Sequence, residues 1–377
     1  MKLGIDLSVQ EELEKLNPKY TYKGKEVEPF KFFSEHSHIS TVRIRLWNHP
    51  YDENGHPYGG GTNDLETFLK LAKRAKAQGM DVMLDFHYSD FWVDPSRQTC
   101  PKDWNGKPYP EVKKLLYEFT LNTLKTVKEN GIELSAIQIG NEITHGMVWP
   151  YGNIEYEFDE VKGGGFKGLC GLLKEGCRAA KEVFPHAKRV LHLEHSGSYD
   201  MQDWYFSNIV KEGVEFEVIG ESYYPYWHGP FNMFKECVSK LMEKYKKEVW
   251  VVELGYEYVP FAEDHDFSEV TDAKEGDFII GNVNGRIPFP QTKQGQADYL
   301  ALMLKICKEL GVGMVCYWEP GWIYMPNNGW ASDAGQIYCG LTPSAPVNSW
   351  IIETFFDTEG NANPAVEIFT QSYVDSL

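Results

Sequence analysis

Two glutamates stand out by where they fall. Glu142 follows Asn141 directly after the apolar run Ala136–Ile139, and Glu253 closes the run Val249-Trp-Val-Val252. Two carboxyl groups on either side of one bond are what glycosidic cleavage requires. In the retaining form they stand about 5–5.5 Å apart, one as acid/base and one as nucleophile. Glu142 suits the acid/base role and Glu253 the nucleophile role if both runs are strands ending at one mouth. The Asn141 amide would then bind a sugar hydroxyl beside the cleaved bond. Glu142 would need a raised pKa, sustained by the charge of Glu253 and by partial burial. An Asn-Glu pair or a strand-end Glu is weak by itself, because such glutamates also pair with arginine. Glu194 and His195, after another apolar run, could serve in place of the pair, and periodicity does not exclude them.

Other run ends gather polar and aromatic residues. They offer Asp6, then Arg43, Arg45 and Trp47, then Asp85, His87, Tyr88 and Asp90. Later ends offer His192, Glu221, Tyr223 and Tyr224, and finally Trp318 and Glu319. Asp85 reads as the ion-pair partner of an arginine. His87 reads as a lining residue, and Arg45 as the group that keeps Glu253 ionised. The chain has 11 tryptophans, whose faces can stack on the apolar faces of pyranose rings. Trp92, Trp149, Trp227, Trp318, Trp322 and Trp330 fall at run ends or on loops, where an aromatic rim would favour an extended glycan. Trp250 lies within a run and reads as core.

The elements that must hold these residues repeat one phrase. A helical pattern ends in Lys and Gly, and an apolar run follows. It occurs at Lys76–Gly79, Lys128–Gly131, Lys211–Gly213 and Lys308–Gly311. Each Gly can take the left-handed conformation that stops a helix. The runs after it read as strands covered on both faces. Helical stripes recur at Leu65, Phe68, Leu69, Ala72 and Ala75, and at Val112, Leu115, Leu116 and Phe119. Two more are Phe231, Phe234, Val238, Leu241 and Tyr245, and Ala297, Leu300, Ala301 and Leu304. Asn63 and Glu66 are spaced for a capping box before the first stripe.

Strands are expected at about 3–7, 41–46, 81–86, 136–140, 189–193, 217–221, 249–253 and 313–318. Eight alternating βα units imply an α/β fold, a (β/α)8 TIM barrel, with residues 1–377 as a single domain. The rival is a doubly wound open sheet. No GxGxxG follows the first strand, so nothing favours it. Strand-to-helix connections are long, roughly 47–62, 87–111, 142–159, 254–293 and 319–361. In a barrel they all lie on the C-terminal face, where active sites are built.

Composition excludes several classes. The formal net charge is −18, which repels nucleic acid and anionic membranes and leaves neutral ligands unaffected. No apolar run reaches the roughly 18 residues of a membrane span. The seven cysteines contain no CxxC pair, and their odd count leaves at least one free thiol. Several sit in apolar runs, which suits a reducing compartment slightly better than an oxidising one. No HExxH or EF-hand loop is present, so no cofactor is expected. Asp264, His265 and Asp266 could bind calcium, but a solvated acidic patch is the expectation. No signal peptide is visible at Met1, so the protein is either intracellular or exported by a leader absent from this chain.

Several phrases together resemble the endo-β-1,4-galactanases of glycoside hydrolase family 53. They are Gly4-Ile-Asp-Leu-Ser8, Val42-Arg-Ile-Arg-Leu-Trp47, Leu84-Asp-Phe-His-Tyr-Ser-Asp90 and Trp92-Val-Asp-Pro95. Gln138-Ile-Gly-Asn-Glu-Ile-Thr144, Ser222-Tyr-Tyr-Pro-Tyr-Trp227 and Val251-Val-Glu253 complete the set. The likeness runs from about residue 4 to about 320. The resemblance implies a barrel with its acid/base after strand four and its nucleophile after strand seven. It implies net retention, with β-1,4-galactan or galacto-oligosaccharide as substrate. By position it implies that Arg45 (with Arg43 as the alternative), His87, Asn141, Tyr224 and Trp318 line the subsite at the cleaved bond, with Asp90, Trp92 and Trp227 as further substrate contacts. Glu263-Asp-His-Asp266 is a partial likeness to a calcium loop of some bacterial members. Phe91 stands where Thr is common. A monomer acting outside the cell is expected, with the cytoplasm as the alternative. Two other readings share the pattern: a related barrel glycosidase on β-mannan or β-glucan, and a glycan-binding barrel without catalysis.

Overall fold

The chain was analysed as a computed structural model that describes residues 1–259, 289–345 and 348–377. Eight parallel strands close into a barrel. They are β1 (Lys2–Asp6), β2 (Thr41–Leu46), β3 (Asp81–Phe86) and β4 (Leu134–Ile139). The circuit continues with β5 (Lys188–Leu193), β6 (Val218–Tyr223), β7 (Glu248–Leu254) and β8 (Met314–Tyr317). Each pairs with its sequence neighbour, and β8 closes on β1 through Lys2–Met314 and Ile5–Tyr317. All eight expected strands are present, with ends moved by no more than two residues.

Helices cover the outside: α1 (Pro29–Glu35), α2 (Leu65–Ala77), α3 (Tyr109–Glu129) and α4 (Gly165–Val183). Then follow α5 (Tyr199–Lys211), α6 (Phe231–Tyr245) and α7 (Lys293–Leu310). On α2 the side chains of Phe68, Leu71, Ala72 and Ala75 are fully buried. Each large apolar residue so buried contributes roughly 1.5–3 kcal/mol. The helix-stopping glycines 79, 131, 213 and 311 have φ of 76°, 74°, 74° and 80°. That is the left-handed geometry their spacing implied.

The expected capping box before α2 is a correction. Asp64, not Asn63, caps the helix, accepting from Thr67 N at 2.8 Å. Asn63 instead donates to the Ser8 carbonyl at 2.7 Å, tying the loop to the end of β1. Spacing alone does not separate two adjacent residues that can both cap.

Inside the barrel, Met83, Ala136, Val190, Val218, Trp250, Val252 and Met314 form the floor. Trp250 is therefore core, as its place in the run implied. Above this floor the interior becomes polar. Beyond β8, Phe355 and Phe369 pack on the outward ring of Tyr317, with centroids 4.2 and 5.8 Å away. All seven cysteines are unpaired, and six are buried. Among the described residues no helix is long and apolar enough to cross a membrane.

Candidate active site

A cavity of about 940 Å³ opens at the C-terminal end of the barrel. Glu142, Glu253, Asn141, Tyr224, His87, Trp318, Trp92 and Trp227 all line it. Arg43, Arg45, Glu194 and His195 line it too. Of the residues expected to act on or touch substrate, all but Asp90 thus line one mouth, while Asp6, Trp47, Asp85, Tyr88, His192, Glu221, Tyr223 and Glu319 do not line it.

Glu253 reaches the interior through a break in the β7 pleat. Trp250 and Val252 both belong to the barrel floor, so strict alternation would turn Glu253 outward. The β6–β7 register slips here. Glu221 pairs with Val251, and Ser222 pairs with Glu253, leaving Val252 extra. A bulge of this kind re-aims the next side chain. Glu253 Oε1 then lies 2.8 Å from Arg43 Nη1. Tyr224 donates its hydroxyl toward Glu253 Oε2 at 3.4 Å.

Glu142 sits just after β4 with φ of 48°, a strained backbone for a residue with a side chain. Three contacts hold the turn. Gln98 Nε2 donates to the carbonyls of Asn141 and Glu142 at 2.8 and 3.2 Å. Ile143 N donates to the His192 carbonyl at 3.0 Å. Ser222 Oγ donates to Glu142 Oε1 at 2.6 Å.

The two carboxyls have unequal surroundings. Burial, then the charges of Glu253 and Glu194, hold Glu142 well above the usual carboxylate range. Burial also pushes Glu253 up, to about 7, while Arg43 pulls it down. The lower-lying Glu253 loses its proton first. Near neutrality and somewhat above, Glu142 keeps a proton while Glu253 carries a charge.

The arginine beside Glu253 is a correction. Arg43, not Arg45, holds it. Arg43 is 1 % exposed and also pairs with Asp6 at 3.1 Å and Asp85 at 2.8 Å. Arg45 pairs with Glu319 at 2.5 Å and lies under the Trp92 ring, 4.2 Å from its centroid. The two arginines alternate by two along β2 and both point inward. Only their depth, which the sequence does not encode, separates their partners. Asp85 is an arginine partner, as its position implied.

Asp90 is the second correction. Its carboxylate accepts from the backbone of His49 at 3.1 Å and of Lys102 at 2.8 Å. It joins two loops and does not line the cavity. Asn141 lines it, and one hydrogen of its amide goes to the Val93 carbonyl at 3.0 Å. His87 accepts from Trp47 Nε1 at 3.2 Å, so its other ring nitrogen donates to Asp85 at 3.1 Å. Burial holds its pKa below the ordinary value, so it is neutral.

Among the tryptophans, Trp330 lines the cavity while Trp149 and Trp322 do not. Trp149 donates to the His145 carbonyl at 3.0 Å. Trp322 is fully buried and stacked behind Trp92. Trp350, missed in the sequence, packs edge-on against Trp318 at 5.0 Å and reaches the cavity. It falls in the last long loop, whose length was the available signal. Ser222 opens one of the quoted phrases but is not distinguished within it, and Arg97, which lines the cavity, carried no signal. Asp264, His265 and Asp266 lie outside the described residues.

The model of Glycosyl hydrolase family 53 matches residues 2–369, well past the 320 or so reached by the quoted phrases. An endo-beta-1,4-galactanase of Bacillus subtilis is 33 % identical over 376 residues, covering 93 % of this chain and 80 % of that one. The catalytic domain of an Ignisphaera aggregans family 53 enzyme superposes with a TM-score of 0.83. It is 33 % identical, covering 98 % of this chain and 95 % of that one. A solved structure of fungal beta-1,4-galactanases has a TM-score of 0.74 at 25 % identity, covering 98 % of each chain.

Proposed function

Because the chain belongs to glycosyl hydrolase family 53, we propose that Glu142 and Glu253 are the acid/base and nucleophile with which it cleaves internal β-1,4-galactan bonds. The observation that carries this reading is the asymmetric holding of two carboxyls in one cavity. Arg43 is paired with Glu253 at 2.8 Å, and the Ser222 hydroxyl with Glu142 at 2.6 Å.

The reaction runs as two displacements. The Glu253 carboxylate attacks the anomeric carbon while Glu142 gives its proton to the glycosidic oxygen. The old C–O bond breaks and a glycosyl ester forms. Glu142, now charged, takes a proton from water as that water attacks the same carbon. Glu253 leaves, and the sugar keeps its configuration. Arg43 favours the ionised nucleophile, and burial favours the protonated acid. Tyr224 donates toward Glu253 and falls away as the ester oxygen forms. Trp318, Trp92 and Trp227 supply apolar faces for the chain of pyranose rings.

Two carboxyls perform this chemistry without a metal or organic cofactor, so activity should persist in chelator. A polymeric substrate supports action outside the cell, and the chain is expected to act as a monomer. Cell fractionation and light scattering test these two points. The substrate reading is tested on a panel of galactan, β-mannan and β-glucan. Reducing ends should appear from galactan at least tenfold faster than from the others, with short oligosaccharides among the early products. Equal release from all three would return the choice to a broader β-glycanase, and no release from any would support a glycan-binding barrel. Glu253→Ala should lose nearly all hydrolysis, still bind galactan, and regain turnover of an activated aryl galactoside with azide. Absence of rescue removes the nucleophile role.

A further inference from the structure

Glu142 is gripped by one oxygen. Oε1 accepts from Ser222, and among the described residues Oε2 has no hydrogen-bond partner and is left to the cavity. Ser222 is itself held from behind, with its Oγ 2.8 Å from His192 Nε2.

The direction of this chain follows from backbone geometry. The N–H of Glu142 points at His192 Nδ1 from 3.4 Å. A backbone N–H can only donate, so Nδ1 presents a lone pair. The Gln138 amide nitrogen is also 3.1 Å from Nδ1, one of its hydrogens going to Asp85 Oδ1 at 2.6 Å and the other being within reach of Nδ1. Asn141 Oδ1, 3.0 Å from Nδ1, accepts from Arg43 Nη2 at 2.9 Å and has one further lone pair. It is therefore the Glu142 N–H aimed at Nδ1 that favours a lone pair on that nitrogen. Burial, then the charge of Arg43, holds His192 well below its ordinary pKa, so the ring carries one hydrogen. That hydrogen is on Nε2 and is donated to Ser222 Oγ. The single hydroxyl hydrogen of Ser222 is then free to point only at Glu142.

In a carboxylic acid the oxygen that accepts is the carbonyl oxygen, and the proton resides on the other. We propose that Ser222 is a positioning residue for the acid/base: its hydroxyl, oriented by the Nε2–H of His192, keeps the transferable proton on Glu142 Oε2, where the leaving oxygen must collect it. The register slip that turns Glu253 inward also sets Ser222 opposite it. Ser222 itself faces inward by ordinary alternation from Val218, and the bulge brings Glu253 beside it. With the opposite ring tautomer, the acid proton would sit on Oε1 and point at Ser222, away from substrate.

The proposal rests on the acid/base reading of Glu142, and leaving-group dependence separates the two. Galactan has a poor leaving group that needs protonation, whereas a 2,4-dinitrophenyl galacto-oligosaccharide does not. For Ser222→Ala, kcat/KM should fall roughly 10- to 100-fold on galactan and less than about 3-fold on the dinitrophenyl substrate. The alkaline limb on galactan should move to higher pH, because the lost hydrogen bond stabilised the charged form of Glu142. Ser222→Thr, which keeps a hydroxyl, should restore most of the galactan rate. Should Ser222→Ala fail to fold, Ser222→Cys reads the same split with a weak S–H donor. Equal losses on both substrates, or no loss on galactan, overturn the proposal. Glu142→Ala is the control. If it shows the split and Ser222→Ala does not, only the positioning role fails. If Glu142→Ala shows no split, the acid/base reading itself fails.

Discussion

Arg43 Nη1 lies 2.8 Å from Glu253 Oε1, the guanidinium buried and the carboxyl lining the cavity. The same guanidinium holds Asp6 and Asp85, so one cation faces three carboxyls. Burial and the two aspartates push Glu253 up, and Arg43 is the opposing force. Glu253 is thus poised to lose its proton near neutrality and not at the usual carboxylate pH.

Activity should follow a bell in pH whose acidic limb reports Glu253 and whose alkaline limb reports Glu142. Ionised Glu253 is required, so kcat/KM should fall as pH drops through about 7. Protonated Glu142 is also required, so the alkaline limb should lie well above the ordinary carboxylate range. Arg43→Lys removes the forked contact to three carboxyls. It should lower kcat/KM by on the order of 10²-fold and move the acidic limb to higher pH. An acidic limb that stays in place would detach Arg43 from the nucleophile.

The parts of this site legible in the sequence are those governed by period and by strand ends. Glu142 and Glu253 close apolar runs, and a closed parallel barrel brings such ends to one face. What was not legible depends on depth and register. Arg43 and Arg45 are equivalent by alternation, and only their height in the barrel gives Glu253 to the deeper one. Glu253 reaches the interior through a one-residue slip between β6 and β7, whereas Ser222 faces inward by ordinary alternation from Val218. Nothing in the local composition of either strand announces that slip. Asp90 shows the converse error. It lies in a conspicuous phrase, DFHYSD, yet its carboxylate is spent on backbone N–H groups.

Asp90→Ala should therefore read as a stability variant. Two backbone donors, His49 N and Lys102 N, lose their acceptor. Leaving such groups unpaired costs about 1–3 kcal/mol. Thermal unfolding should show the loss, while KM for galactan stays within about 2-fold at temperatures where the variant is folded. A large rise in KM with unchanged melting temperature would return Asp90 to the substrate site.

Glu221 gives a pH-dependent stability test away from the chemistry. It is fully buried against Gln202, whose amide donates to it at 2.7 Å. Burial, then the charge of Glu194, holds its pKa well above the ordinary value. A folded-state pKa above the unfolded one contributes stability that is complete below the unfolded value. That contribution is lost as pH rises through the folded value. Glu221→Gln does not titrate, so it should match the parent at about pH 4, below the unfolded glutamate value. Near pH 9 it should melt higher by at least about 2 °C. A difference that does not grow with pH would mean that Glu221 is not carrying this charge penalty.

The aromatic wall divides into an inner and an outer part, and the two should fail differently. Trp318 is 8 % exposed and follows β8 directly, close to the carboxyl pair. Trp227 is 41 % exposed and stands at the rim, edge-on to Tyr224 with ring centroids 5.4 Å apart. A ring that touches only remote sugars binds ground state and transition state alike. Its removal raises KM and leaves kcat alone. Trp227→Ala should therefore raise KM for galactan about 10-fold, the loss of roughly 1.4 kcal/mol of stacking, with kcat within about 2-fold. Trp318→Ala should lower kcat itself by at least about 10-fold, because the ring floor under the reacting sugar is gone. Steady-state kinetics on galactan, with each variant's melting temperature as the folding check, separates the two. A matching fall in kcat for both variants would place Trp227 beside the cleaved bond and not at the rim.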